Sequence, residues 1–145
     1  MTFLQRVDPP ALCRPVQNLY SQVVIAPAGR TAYIAGQVAL DASGELVGPG
    51  DHAAQARQAF LNVKLALEGV GATPSDLVRH NIYVVGHRPE LVPVIFGAAR
   101  EAYGEPWPLA ASTMLGVEAL GLPGWLIEVE ATALLPPAKV SPGVD

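Results

Sequence analysis

Residues 124–135, GWLIEVEATALL, constrain the fold more than any other stretch of this chain. Successive side chains of a strand point to opposite sides, so Ile127, Val129, Ala131 and Ala133 share one face. Leu126, Glu128, Glu130 and Thr132 share the other. The first set is a core face. The second carries two carboxylates within a segment, Glu101 to Ala138, that contains no Lys or Arg. Isolated buried carboxylates cost several kcal/mol or force their own protonation. Glu128 and Glu130 must therefore meet donors, water or a ligand, and Arg79 is the nearest candidate partner in sequence.

The remaining pattern supplies the other layers. YSQVVIA (20–26) and TAYIAGQVAL (31–40) are strand-like runs, and the PAGR between them, with Gly29 suited to a tight turn, predicts a hairpin. DASGELVGPG (41–50) is a glycine-rich loop without the lysine and hydroxyl of a phosphate loop. Asp51 then caps a helix whose apolar stripe is Ala56, Phe60, Val63, Leu67 and Val70, with Gly71 as its stop. LVRHNIYVV (77–85) reads as a strand with Arg79, Asn81 and Tyr83 on one side and Val78, His80, Ile82 and Val84 on the other. A second helix is expected from about Pro89 to Tyr103, burying Ile95, Phe96, Ala99 and Tyr103, with Pro93 a turn in and expected to distort it. Strands near 111–120 and 125–135 complete a β-β-α-β-α-β-β order. This is an α+β domain: a mixed sheet with two helices on one face and the other face bare. On 31–38, Thr31, Tyr33, Ala35 and Gln37 form the more polar set, and the mixed faces are expected to meet other subunits.

Composition narrows the function. With 145 residues, half of them apolar and 15% charged, the chain can bury a core and is not a solvated disordered polypeptide. A net charge of −4 without a Lys/Arg cluster excludes a phosphate-tracking groove, so no nucleic-acid partner is expected. No apolar run approaches the ~20 residues of a membrane span, and the first residues lack the pattern of a signal peptide. The expected organisation is an extended N-terminal arm (1–18), one domain (19–135) and a C-terminal tail (136–145) in a cytoplasmic protein. The single Cys13 fits a reducing compartment. So few charges over so apolar a chain imply that part of the surface is hidden against further copies.

Three segments carry a resemblance. QVVIAPAGRTAYIAGQ, then GELVGPGDHAAQARQAFLNVKLALEGVGATPSDLVRHNIYVV, then GVEALGLPGWLIEVEATA resemble the RidA (YjgF/UK114) family over roughly residues 19–134. The resemblance implies a chorismate-mutase-like α+β subunit, a homotrimer, and small-molecule clefts between subunits. It implies hydrolysis of reactive enamines and imines to 2-keto acids and ammonia, without a metal or organic cofactor. Carried over by position, the cleft tyrosine matches Tyr20, the glycine–glutamine pair matches Gly36 and Gln37, and the water-orienting catalytic glutamate matches Glu128. The substrate-gripping arginine has no counterpart. Its place falls on Ala111 or Ser112, depending on the anchor used.

That substitution sets the functional question. A guanidinium fork gives a carboxylate two charge-assisted hydrogen bonds that a serine cannot reproduce, and losing them in a dry cleft costs on the order of 2–5 kcal/mol. Weak or absent deamination of 2-imino acids is expected, unless Arg6, Arg14 or Arg79 supplies the charge. Glu128 either positions water or a ligand amine or is satisfied structurally; Glu130 leans to a structural role. Tyr20 divides between cleft lining and packing, and Gly36 and Gln37 between cleft lining and close backbone approach. Ser112 has no histidine or lysine near it in sequence to activate it as a nucleophile. His52, His80 and His87 have no metal-ligand spacing. Three readings stand: a metabolite-binding trimer with divergent or no hydrolysis, an enamine/imine deaminase borrowing a cation, and a non-catalytic interaction or chaperone-like trimer.

Overall fold

The computed structural model describes residues 3–138; residues 1–2 of the arm and 139–145 of the tail lie outside it. Its elements are β1 (Gln5–Val7), β2 (Val23–Ile25), β3 (Thr31–Val38), α1 (His52–Gly69), β4 (Leu77–Val85), α2 (Leu91–Tyr103), β5 (Ala111–Val117) and β6 (Ile127–Leu134). Asp51 caps α1 by accepting a hydrogen bond from the Ala54 N–H at 3.0 Å. Gly71, at φ 76°, turns the chain out of it in the left-handed region that glycine tolerates. The second helix begins at Leu91 rather than Pro89, which places Pro93 in the first turn, where its missing N–H has no intrahelical partner to lose.

The main sheet runs β3-β6-β4-β5, with β6 antiparallel to both neighbours and β4 parallel to β5 through α2. A chain-terminal strand thus lies in the middle of the sheet. Its face of Ile127, Val129, Ala131 and Ala133 is buried against the helices, as the alternation requires. α1 packs on β3 and β6, and α2 packs on α1, leaving the opposite face of the sheet uncovered. Gln55, wholly buried in α1, ties two loops to this core: its amide donates to Gly48 O and Gly124 O, and its carbonyl accepts from the Leu126 N–H.

Four expectations are corrected. The 20–26 and 31–40 runs do not form a hairpin: β2 pairs with β1, and β3 pairs with β6. Gly29 does not adopt the positive φ of a two-residue turn, and a Cβ there would come within 2.9 Å of Leu134 Cδ1, so it serves packing. The side assignment of β4 slips at its start, where a bulge between Leu77 and Arg79 puts Leu77 rather than Val78 in the buried set with His80, Ile82 and Val84. A second bulge between Ile34 and Gln37 re-phases β3. Gln37 therefore pairs with Val129 on the helix side, while Val38 pairs with Glu128 on the uncovered side.

The arm is fastened to the domain. Asp8 accepts from the Gln22 N–H at 2.7 Å, Gln22 Nε2 donates to Cys13 O, and Arg6 Nε donates to Leu109 O.

Candidate functional site

The two carboxylates of β6 have different surroundings. Glu130 Oε1 accepts from the Tyr83 hydroxyl at 2.6 Å and from Asn81 Nδ2 at 3.0 Å, both on the neighbouring β4. These bonds hold its carboxyl below the usual carboxylate range, and in return raise the Tyr83 hydroxyl above its ordinary value. Arg79 is not an ion-pair partner of either acid; its guanidinium donates to Thr113 Oγ1 at 3.3 Å. Glu128 has no hydrogen bond or ion pair among the described residues. It lines a cleft of ≈ 690 Å³ at the β3 edge, with Gly36, Gln37, Gln58, Asn62 and Trp125 around it. Gly36 makes room for it, because a Cβ there would overlap the Glu128 carboxylate. Gln37 donates from Nε2 to Ala35 O across the bulge.

The other candidate residues lie at the opposite edge. Ser112 pairs with His80 and shares its helix-covered side, whereas Ala111 pairs with Arg79 on the uncovered side. Ser112 and Tyr20 line a pocket of ≈ 240 Å³ together with His87, Phe96 and Met114. Glu128 lies on β6, two strand positions from the β5 that carries Ser112, and its cleft opens at the β3 edge. The structure thus collects Gly36, Gln37 and Glu128 in one place and Tyr20 and Ser112 in another.

Sequence reasoning missed the partner of Ser112. His80 Nδ1 lies 2.9 Å from Ser112 Oγ, although the residues are 32 positions apart, because β4 and β5 run parallel and in register. His80 is fully buried within a cage of Phe60, Tyr103 and Trp107 rings. Burial pushes its pKa down from 6.5 to about 4, so the imidazole is neutral at pH 7. Its Nε2 has no hydrogen-bond partner, and neither does the buried Tyr103 hydroxyl, whose pKa burial pushes up. An imidazole this weakly basic, with no group orienting its second nitrogen, is a poor base for a serine nucleophile. The only signal for the pair was a histidine on the apolar side of its strand.

Two other cations are engaged away from both pockets. Arg100 lies over the Trp107 ring at 5.0 Å, and Arg57 pairs with Glu101. No cluster of three or more His, Cys, Asp or Glu side chains converges among the described residues, and none of their helices is long and apolar enough to cross a membrane.

Known proteins share this architecture. A family model described as endoribonuclease L-PSP matches residues 13–135. A 2-iminobutanoate/2-iminopropanoate deaminase from Dermatophagoides farinae is 33% identical over 101 residues, 70% of this chain and 74% of that protein. A RutC family protein from Pyrococcus horikoshii is 34% identical over 116 residues, 79% and 85% of the two chains. A crystal structure of a Rid family protein from Yersinia pestis superposes with a TM-score of 0.84 at 42% identity, covering 91% of this chain and 98% of that one.

Proposed function

The chain belongs to the RidA (YjgF/UK114) family, and from that premise we propose that it is a cytoplasmic homotrimer that binds a small metabolite in clefts between its subunits. The observation that carries this reading is the division of the candidate site. Glu128, Gly36 and Gln37 line one edge of the sheet, and Tyr20 and Ser112 line a pocket at the other. A site built from both halves needs two chains. The uncovered sheet face supports the same reading, since Tyr33 is 83% exposed and Leu115 49% exposed on it, an unusual apolar display for an isolated subunit. The assembly then holds Glu128, which lacks any partner within its own chain, against the Tyr20 and Ser112 side of a neighbour.

Hydrolysis is weak or divergent in this reading. Glu128 can accept a proton from water or an amine, but neither Ala111 nor Ser112 offers a cation to a substrate carboxylate. A second reading, a 2-imino acid deaminase, is favoured by the names of the relatives and by one contact: Arg79 sits directly beside Ala111 in the β4–β5 register. Ammonia release from freshly generated 2-iminobutanoate separates the two. Turnover abolished by Arg79→Ala would establish the second; negligible turnover by a protein scattering light at three times the 15.2 kDa chain mass supports the first. A monomer in dilute solution would defeat both.

A further inference from the structure

We propose that the His80–Ser112 pair is a ligand-reading element that stands where the family's arginine would, and that it selects a neutral oxygen acceptor, a ketone, amide or ester carbonyl, over a carboxylate. The inference rests on the cleft reading above and names the substrate class of its Ser112 half.

The geometry offers two arrangements of one hydrogen bond. Either the Ser112 hydroxyl donates to Nδ1, leaving an N–H on the buried Nε2, or Nδ1–H donates to Ser112 Oγ, leaving Nε2 a bare lone pair. No acceptor meets Nε2 inside the cage of Phe60, Tyr103 and Trp107 rings. A buried N–H without an acceptor is the rarer and costlier orphan, so the second arrangement is favoured. Ser112 Oγ then accepts from the imidazole, and its own proton is directed away from His80. The pocket that Ser112 lines with Tyr20 and Met114 is where that proton finds an acceptor.

The charge of the pocket decides which acceptor. His87 is the single residue among those lining it that can carry positive charge, and the rest of the lining is largely apolar. A carboxylate brought there surrenders its hydration for one neutral donor, whereas a carbonyl gives up far less. His80 does not touch the ligand in this scheme. It is a positioning residue that holds the hydroxyl rotor.

The test uses the full 145-residue chain uniformly labelled with 15N, and two probes of matched shape, butanamide and butanoate. Long-range 1H–15N spectra are expected to show His80 protonated on Nδ1; protonation on Nε2 overturns the inference. Titrations are expected to show the amide binding more tightly than the acid. Ser112→Ala should weaken the amide about tenfold, with the acid nearly unaffected, and Ser112→Thr should restore it. Equal amide affinity in the Ser112→Ala protein, or tighter binding of the acid, overturns the inference while leaving a metabolite cleft intact. Failure of both probes to shift any resonance near Tyr20 or Glu128 removes the cleft reading itself, and the inference with it.

Discussion

Acidification from pH 7 to 4 should weaken the fold by about 3 kcal/mol through His80 alone. The ring is fully buried, and its pKa is lowered to about 4, first by desolvation, against the raising effect of a backbone hydrogen bond and with a smaller push from the charge of Arg79. In the unfolded chain the same ring titrates near 6.5. Above that pH it is neutral in both states, and proton uptake has no leverage. Between 6.5 and about 4 the unfolded chain binds a proton that the folded chain refuses, so stability falls as pH falls. Below about 4 both states are protonated and the loss levels off. At about 1.36 kcal/mol per pH unit the interval amounts to about 3 kcal/mol. Glu130 acts in the next window: its folded pKa is depressed, so its contribution is present above the unfolded carboxylate value and is lost as pH falls further. Urea unfolding at several pH values, followed by tryptophan fluorescence at fixed protein concentration, reads the slope without the drift that subunit association adds. His80→Phe keeps a ring in the cage and removes the titration, so its stability should be flat from pH 6.5 to 5, above the range in which Glu130 acts. His80→Asn gives the same comparison should the larger ring overpack the site. An unchanged slope in both variants would refute the assignment of the acid sensitivity to this ring.

Gly36→Ala should leave the unfolding midpoint within about 1 kcal/mol of wild type, because only the far end of the Glu128 side chain must move, yet it should abolish any ligand-induced shift at that cleft. A Gly36→Ala protein with normal binding would show that the Glu128 position is immaterial. Gln55→Ala should cost about 3 kcal/mol in urea unfolding, since it strands the carbonyls of Gly48 and Gly124 and the Leu126 N–H at once. Tyr33→Glu, on the uncovered face, should reduce the light-scattering mass toward that of one chain while the circular dichroism spectrum stays native; an unaltered mass would place the interface elsewhere.

The sequence by itself determined the α+β class, the limits of β4, the α1 cap at Asp51, and the buried and acidic faces of the last strand. Those features are local: a period of two or 3.6, a capping side chain and a glycine stop act through near neighbours, and each is written into a short run of residues. The absence of Lys and Arg from Glu101 to Ala138 was equally plain, because it needs no coordinates. Tertiary structure decided the rest. The bulges in β3 and β4 insert one residue each, which moves Gln37 to the helix side and Val78 out of the buried set, and pairing across the sheet is what reveals them. Glu130 meets Asn81 and Tyr83 because the β4–β6 register sets it opposite Asn81, whereas Arg79 stands opposite Thr132 and bonds Thr113 on β5. The His80–Ser112 contact arose in the same way, from the register of two parallel strands separated by a helix. Sequence spacing records what adjacent residues can do; which distant residues meet is settled only when the sheet closes around a common core.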